Sequence, residues 1–177
     1  MAFTLRPSVP GDIDWLVELR AVVLRADLER LGRYDGVRVR ERMRKAFVPE
    51  WSRIVISEGA EVGSITARPD GNVRWIEHFY LSPDVQGRGI GSSVLQSVLN
   101  EPHHGVTRLN VLQGSAARRL YERLGFVADY EDEIDVFMTL RPGMKTFHEP
   151  GPDSILTTTG DAERGTRRGS PQPVRRL

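Results

Sequence analysis

Three runs of β-branched and aromatic residues, separated by two short turn sequences, constrain the fold of this chain more than any other feature. The runs cover residues 53–57, 61–68 and 73–81, and the turns Glu58-Gly59-Ala60 and Asp70-Gly71-Asn72 lie between them. Glycine and asparagine favour the tight turns that join antiparallel neighbours. The pattern therefore predicts a three-stranded antiparallel meander.

The segments on either side of the meander alternate between strand and helix periodicity. Further strands are predicted at residues 3–6, 106–112, 126–130 and 134–140, and helices at residues 10–31, 37–47, 90–99 and 115–124. This order predicts an α/β fold with a mixed, mostly antiparallel central sheet flanked by helices.

Composition divides the chain into two parts. Residues 141–177 hold seven of the 25 basic and four of the 24 acidic residues, are rich in glycine and proline, and contain few large apolar side chains. Such a segment buries too little surface to offset its ordering entropy. We expect a domain over residues 1–140 and a flexible tail over 141–177. The domain keeps 18 basic and 20 acidic residues, so a nucleic-acid partner is not expected except through arginines of the tail.

The absence of cysteine excludes several classes of site. With no cysteine in 177 residues, the chain has no disulfide, no thiolate metal site and no cysteine nucleophile, which favours a reducing, cytoplasmic location. No apolar run approaches the roughly 18 residues that a membrane span needs. The pair His103-His104 has no matching carboxylate pattern, so no metal is expected.

A glycine-rich segment, Gln86-Gly87-Arg88-Gly89-Ile90-Gly91-Ser92, lies between a predicted strand and a predicted helix. Successive backbone N–H groups at a helix N-terminus can bind phosphate. A P-loop would require lysine where the chain has Ser92, and a dinucleotide fingerprint would require a third glycine there. Neither nucleotide motif fits the segment.

The spacing Q-x-x-G-x-G, filled by Gln86, Gly89 and Gly91, resembles the pyrophosphate-binding loop of the GNAT superfamily of acyl-CoA N-acyltransferases. Residues 117–126, ARRLYERLGF, are similar to the family's A-x-x-L-Y-x-x-x-G-F segment. Related members often carry asparagine before this alanine, whereas this chain has Gly114-Ser115-Ala116. Ser115 could still cap the helix.

The resemblance implies a set of contacts with acetyl-CoA. The strand at 73–81 would pair with the pantetheine arm, and the N–H groups of the glycine-rich segment would hold the pyrophosphate. The strand would bend away from its neighbour and leave a backbone N–H free for the oxyanion. The implied coenzyme-binding residues are Phe79, Tyr80, Leu81, Gln86, Gly87, Arg88, Gly89, Ile90, Gly91, Ser92 and Ser115.

The resemblance also implies catalytic roles. Tyr121 would act as general acid at the coenzyme sulfur, and Glu77, on the coenzyme-binding strand, would act as base. His78 is the rival base. Simple strand alternation places Glu77 on one face with Phe79 and Leu81, and His78 on the other with Tyr80. Apolar neighbours would raise the pKa of the Glu77 carboxyl.

The acceptor site in this family lies between the first helix pair and the last hairpin. Five acids crowd residues 129–135, and the candidate substrate-binding residues are Tyr34, Asp35 and Glu131. A cationic acceptor such as a polyamine, amino sugar or peptide N-terminus would be attracted there. The alternative is that these acids lie on an exposed turn and only keep the protein soluble.

We therefore expect an N-acetyltransferase that moves an acetyl group from acetyl-CoA to a primary amine of a small molecule or peptide. The reaction would proceed by direct attack in a ternary complex, without a metal, in a monomer or homodimer. The alternative is a non-catalytic acyl-CoA-binding or sensing module.

Overall fold

The predicted meander forms the centre of a seven-stranded sheet in the computed structural model, which describes residues 2–143. The strands are β1 (Phe3–Pro7), β2 (Ser52–Ser57), β3 (Ala60–Asp70), β4 (Val73–Leu81), β5 (Val106–Leu112), β6 (Val127–Glu131) and β7 (Asp135–Leu140). Their order across the sheet is β1-β2-β3-β4-β5-β7-β6. All neighbours are antiparallel except β4 and β5, which confirms the predicted mixed, mostly antiparallel sheet.

Five helices flank the sheet within the described residues. They are α1 (Ile13–Val23), α2 (Arg25–Arg30), α3 (Gly36–Ala46), α4 (Ile90–Leu99) and α5 (Ala117–Arg123). The predicted single helix over residues 10–31 is wrong, because Pro10–Asp12 forms a 3₁₀ turn and Leu24 separates α1 from α2. Leu16, Val17 and Ala21 of α1 are buried, whereas no residue of α2 is. The second half of the predicted helix, α2, therefore contributes no buried residue to the core.

The sheet has a core on each face. On one face, residues of α4 and α5 such as Val94, Leu95 and Leu124 pack with Ile65 and Leu109 of the strands. On the other face, Leu16 and Val17 of α1 and Met43 of α3 pack on Ile54 and Tyr80. We call these the α4/α5 face and the α1/α3 face.

The parallel strands β4 and β5 separate part of the way along the sheet. They pair only over Val73, Arg74 and Trp75 of β4 and residues 106–108 of β5. From Ile76 to Leu81, no strand among residues 2–143 pairs with the β4 edge that faces β5. The facing edges of the two strands therefore enclose a split lined by unpaired backbone groups.

A β-bulge in β4 lies beside this split. Ser64 of β3 pairs with Tyr80 and Thr66 pairs with Glu77, so two β4 residues, His78 and Phe79, oppose Ile65 alone. His78 has a left-handed φ of 48°. The Ser64 hydroxyl donates a hydrogen bond of 2.9 Å to the His78 carbonyl oxygen. The extra residue changes which side chains share a face.

The predicted alternation along β4 therefore holds through Glu77 and is wrong from His78 onward. Through their pairing partners, both Glu77 and Tyr80 lie on the α1/α3 face. Phe79 and Leu81 pack against the core of the α4/α5 face. The sequence placed Glu77 with Phe79 and Leu81 because a bulge leaves no mark in simple apolar periodicity.

The predicted tail falls almost wholly outside the described residues, which end at Gly143. The boundary at residue 140 and the flexibility of 141–177 stay predictions. Within residues 2–143, no helix is long and apolar enough to cross a membrane.

Candidate active site

The glycine-rich segment leads into the N-terminus of α4, and a 3₁₀ turn at Pro83–Val85 separates it from the end of β4. α4 begins at Ile90, and Gly89 at its N-cap makes no side-chain capping hydrogen bond. The first helical N–H to find a carbonyl is that of Ser93, which donates to Gly89 at 3.1 Å. The earlier N–H groups of a helix have no intrahelical acceptor, and the helix dipole favours negative charge there. The site therefore fits a phosphate group.

The three glycines of the segment have different physical roles. Gly87 and Gly89 have φ values of 73° and 82°, a region in which a Cβ is strained. Gly91 does not have a positive φ, and a Cβ there would make ordinary van der Waals contact, at 3.4 Å from Leu81 Cδ1 and 3.5 Å from Leu120 Cδ2. The Gly91 position thus joins the loop closely to the α4/α5 core.

The side chains of this segment point in different directions. Gln86 donates from Nε2 to the Leu81 carbonyl at 2.7 Å, which ties the loop to the end of β4. Ile90 is buried in the core, so only its backbone can reach a ligand. Arg88 is exposed and forms no ion pair with residues 2–143. Ser92 is half-buried in the first turn of α4.

Ser115 lies at the start of α5. The helix begins at Ala117, two residues later than predicted. The Ser115 hydroxyl accepts a hydrogen bond of 3.4 Å from the Ala117 N–H. Gly114 before it has φ 71°, and a Cβ there would lie 2.8 Å from the Arg30 guanidinium. α2 therefore packs closely over this loop.

Tyr121 lies on α5 and is buried against Phe126, with the ring centroids 5.9 Å apart. Burial raises the pKa of Tyr121 well above its usual value, and the nearby Tyr80 hydroxyl adds to this rise. Tyr121 therefore stays protonated at neutral pH.

Glu77 forms a two-point ion pair with Arg68 of β3. The Arg68 Nε and Nη2 atoms each donate to a different Glu77 oxygen at 3.0 Å. Both side chains keep about a quarter of their surface exposed, at 29% for Glu77 and 24% for Arg68. The predicted apolar surroundings of Glu77 are therefore wrong, because a guanidinium donates to both of its carboxylate oxygens.

His78 and Tyr80 follow Glu77 on the same strand. The His78 Nδ1 lies 3.4 Å from the Tyr80 hydroxyl. Burial lowers the pKa of His78 to about 4, and the positive charge of Arg20 adds to the effect. His78 is therefore a neutral imidazole at physiological pH, and its low pKa makes it a weak base for an ammonium.

The predicted acceptor-binding residues all have partners within the protein. Asp35 caps α3 by accepting from the Val37 and Arg38 N–H groups at 3.0 Å. The Tyr34 ring lies 5.4 Å from the Arg25 guanidinium. Glu131 pairs with Arg118 at 2.9 Å.

The first helices and the last hairpin are nonetheless connected. Arg30 of α2 donates to the Gln113 carbonyl, and the Gln113 side chain donates to Glu131 at 3.1 Å. The structure thus links these two regions, but it does not bring Tyr34 and Asp35 into hydrogen-bond contact with Glu131.

Sequence reasoning did not identify three residues near the bulge. Ser64 holds the His78 carbonyl, Arg68 pairs with Glu77, and Arg20 stacks over Tyr80. Each acts on β4 across the sheet or from a helix, so no local spacing could have marked it. Among residues 2–143, no three His, Asp or Glu side chains form a metal-binding group, and His103 contacts the Val106 carbonyl at 3.2 Å.

Part of the chain is similar to a known protein family. Residues 50–128 match the family model of an acetyltransferase (GNAT) domain. That range runs from the start of β2 to β6 and includes the glycine-rich segment and Tyr121. No curated protein sequence matches the chain.

Solved structures of low sequence identity share the fold. The PaiA N-acetyltransferase of Thermoplasma acidophilum, solved with coenzyme A, is 18% identical with a TM-score of 0.65, over 80% of this chain and 99% of that one. PH1933 of Pyrococcus horikoshii is 19% identical with a TM-score of 0.64, over 81% and 100%. The ribosomal-protein-S18-alanine N-acetyltransferase of Escherichia coli is 15% identical with a TM-score of 0.58, over 85% and 100%.

Proposed function

Because this chain belongs to the GNAT superfamily of acyltransferases, we propose that it transfers an acetyl group from acetyl-CoA to a primary amine of a small molecule or peptide. The observation that carries the proposal is the juxtaposition of an uncapped α4 N-terminus with the split between β4 and β5. The first feature suits a pyrophosphate, and the second offers unpaired backbone groups to the pantetheine arm.

The residues of the split suit direct transfer without an acyl-enzyme. The amine nitrogen attacks the thioester carbonyl, the C–N bond forms, and the C–S bond then breaks with the electron pair leaving on sulfur. A β4 backbone N–H at the bulge, free of a β5 partner, would stabilise the oxyanion of the tetrahedral intermediate. With no cysteine in the chain, no thiol is present to accept the acetyl group.

Tyr121 would stabilise the departing sulfur. Its hydroxyl is protonated at neutral pH, because burial raises its pKa. A thiol has a pKa near 8.5, so complete proton transfer from this phenol to a thiolate would be uphill. Tyr121 therefore acts as a hydrogen-bond donor to the developing thiolate, which takes its final proton after the C–S bond has broken.

Glu77 would take the proton that the attacking ammonium must lose. Both of its oxygens already accept from Arg68, but each carboxylate oxygen has a second lone pair for a water molecule. The proton would pass through this water to the carboxylate and then to solvent. His78 is less suited, since burial and the positive charge of Arg20 both disfavour its protonated form.

The test is coenzyme release from acetyl-CoA, followed with a thiol-reactive chromophore. The protein is offered polyamines, amino sugars, amino acids and short peptides, and it contributes no thiol signal of its own. We expect release that depends on both the amine and the enzyme, with no burst when the amine is absent. Acetyl-CoA binding is measured in parallel as a rise in melting temperature.

Three outcomes separate the alternatives. Amine-dependent release supports the transferase. Stabilisation by acetyl-CoA without release for any amine would favour the acyl-CoA-sensing module. Neither stabilisation nor release would contradict both.

A further inference from the structure

Arg20 of α1 is a cation without a counter-ion beside the candidate active site. Its guanidinium lies 5.9 Å from the centroid of the Tyr80 ring. Its Nε atom is buried and has no hydrogen-bond partner. Within residues 2–143, no carboxylate lies within ion-pair distance of Arg20.

Three other arginines on this side of the sheet differ from Arg20. Arg40 pairs with Glu18 at 2.6 Å, Arg44 with Asp14 at 3.3 Å, and Arg68 with Glu77 at 3.0 Å. Each of these charges is balanced within the protein. Arg20 alone of these four is left with an aromatic ring as its partner, and a cation–π contact replaces only part of the lost hydration.

The charge of Arg20 acts on the part of β4 that carries the bulge. It disfavours protonation of His78 and favours ionisation of Tyr80. Both residues follow Glu77 on the strand that borders the split. An anionic group bound by Arg20 would therefore lie near the residues that we propose to act on the attacking amine.

We propose that Arg20 binds the carboxylate of the acceptor, so that the acceptor is an amine that also carries a carboxylate, such as an amino acid or a short peptide. This inference rests on the proposed function. A partly desolvated guanidinium gains most from a charge-assisted hydrogen bond, and a carboxylate matches its planar donors.

The charge balance favours a carboxylate over other groups. A phosphate carries a charge of about −2 at neutral pH, which the single positive charge of Arg20 balances only in part, whereas a carboxylate matches it one to one. A polyamine would be repelled by Arg20. The cationic acceptors that the acidic hairpin suggested are therefore disfavoured, because Glu131 and Asp35 already have partners within the protein.

The test compares amines in matched pairs with the full-length protein. The pairs are histidine and histamine, tyrosine and tyramine, lysine and cadaverine, and a dipeptide with its C-terminal amide. We expect the wild type to have at least a tenfold higher kcat/KM for the carboxylated member of its best pair. In Arg20→Gln, kcat/KM should fall at least tenfold for the carboxylated amine and less than twofold for the matched amine without a carboxylate. Arg20→Lys should retain part of the preference for the carboxylated amine.

The matched control is Arg44→Gln, which removes an exposed arginine from α3 that pairs only with Asp14. It should leave the preference unchanged, and acetyl-CoA should stabilise all three variants as it does the wild type. The proposal is overturned if the wild type shows no preference for the carboxylated amine. It is also overturned if Arg20→Gln lowers kcat/KM equally for both amines of a pair. Turnover restricted to polyamines or amino sugars also overturns it but leaves the proposed function intact. Acetyl-CoA binding without any turnover overturns both.

Discussion

Burial and a single ion pair determine what individual side chains in the split between β4 and β5 can do. Tyr121 is buried, and burial raises its pKa. Glu77 pairs with Arg68, whereas burial keeps His78 neutral. We propose Tyr121 as the hydrogen-bond donor and Glu77 as the proton acceptor that acyl transfer to an amine requires.

Replacement of Tyr121 by phenylalanine removes only the hydroxyl from this environment. We expect kcat to fall by about 100-fold, as on removal of an oxyanion-hole donor, with acetyl-CoA affinity unchanged. Because burial raises the pKa of Tyr121, the wild-type rate should show no decline from ionisation of this group below about pH 10. Steady-state kinetics check both points. Tyr130→Phe, on the exposed strand β6 with 54% of its surface accessible, is the control and should be unaffected.

Replacement of Glu77 by glutamine keeps the shape of the side chain and removes the base. We expect kcat to fall by about 100-fold at neutral pH, with recovery at high pH where more of the amine is already neutral. A pH–rate profile measures this. Glu101→Gln also breaks an arginine pair, with Arg53, and should leave the profile unchanged. Equal effects of the two substitutions would contradict the assigned role of Glu77.

At the scale of the elements, the important feature is how β3 holds the bulged strand β4. Gly63 of β3 pairs with Leu81 at the end of β4. A Cβ at Gly63 would lie 2.3 Å from the Tyr80 carbonyl oxygen and 2.7 Å from Leu81 Cδ2. Most of the close contact is with backbone, which cannot rotate away. The glycine therefore permits the close approach of the two strands beside the split.

Gly63→Ala should consequently displace β4. We expect a loss of about 3 kcal/mol in the free energy of unfolding, together with weaker stabilisation by acetyl-CoA. Urea denaturation with and without acetyl-CoA measures both effects. Gly11→Ala is the matched control, because a Cβ at Gly11 meets nothing within 4 Å. Equal stability of the two variants would show that β4 can shift at little cost.

At the scale of the whole molecule, one charged network joins the first strand to the meander. Arg6 of β1 donates to both oxygens of Asp12 at 2.9 and 2.7 Å and also contacts Glu61 of β3. Asp12 accepts from the Val9 N–H at 2.8 Å and is buried. The hydrogen bond from Arg6 lowers the pKa of Asp12 below its usual 3.8, against the opposing effect of burial.

The network makes stability depend on pH. The folded-state pKa of Asp12 is lowered. The ionised Asp12 therefore makes its full contribution to the free energy of unfolding above about pH 4, and this contribution is lost as the pH falls through the folded-state pKa. Asp12→Asn should cost about 2 kcal/mol at pH 7 and flatten this acid limb. Urea denaturation between pH 2 and pH 7 measures it. The control is Asp14→Asn, two residues further along the chain, where the side chain is 81% exposed. It should change neither the free energy of unfolding at pH 7 nor its dependence on acid pH. Equal losses of stability in the two variants would contradict the role of the network.

The sequence alone determined the features that depend on neighbouring residues. The seven strands and the glycine-rich segment at the start of α4 follow from side-chain periodicity and from backbone conformations that only glycine adopts easily, such as the φ of 82° at Gly89. The two motifs that resemble the GNAT superfamily are likewise short and local. These preferences act within a few residues, so they can be read without knowing the fold.

Only the tertiary structure decided which side chains meet. The bulge at His78 places Glu77 with Tyr80 rather than with Phe79, and this register depends on the partner strand β3. The ion pair of Arg68 with Glu77 joins two strands, and Arg20 reaches Tyr80 from α1, 60 positions earlier in the sequence. The division of the first helix at Leu24 depends on how much of the chain can pack on the sheet. Contacts between segments distant in the chain are fixed by register and packing, which local periodicity does not encode.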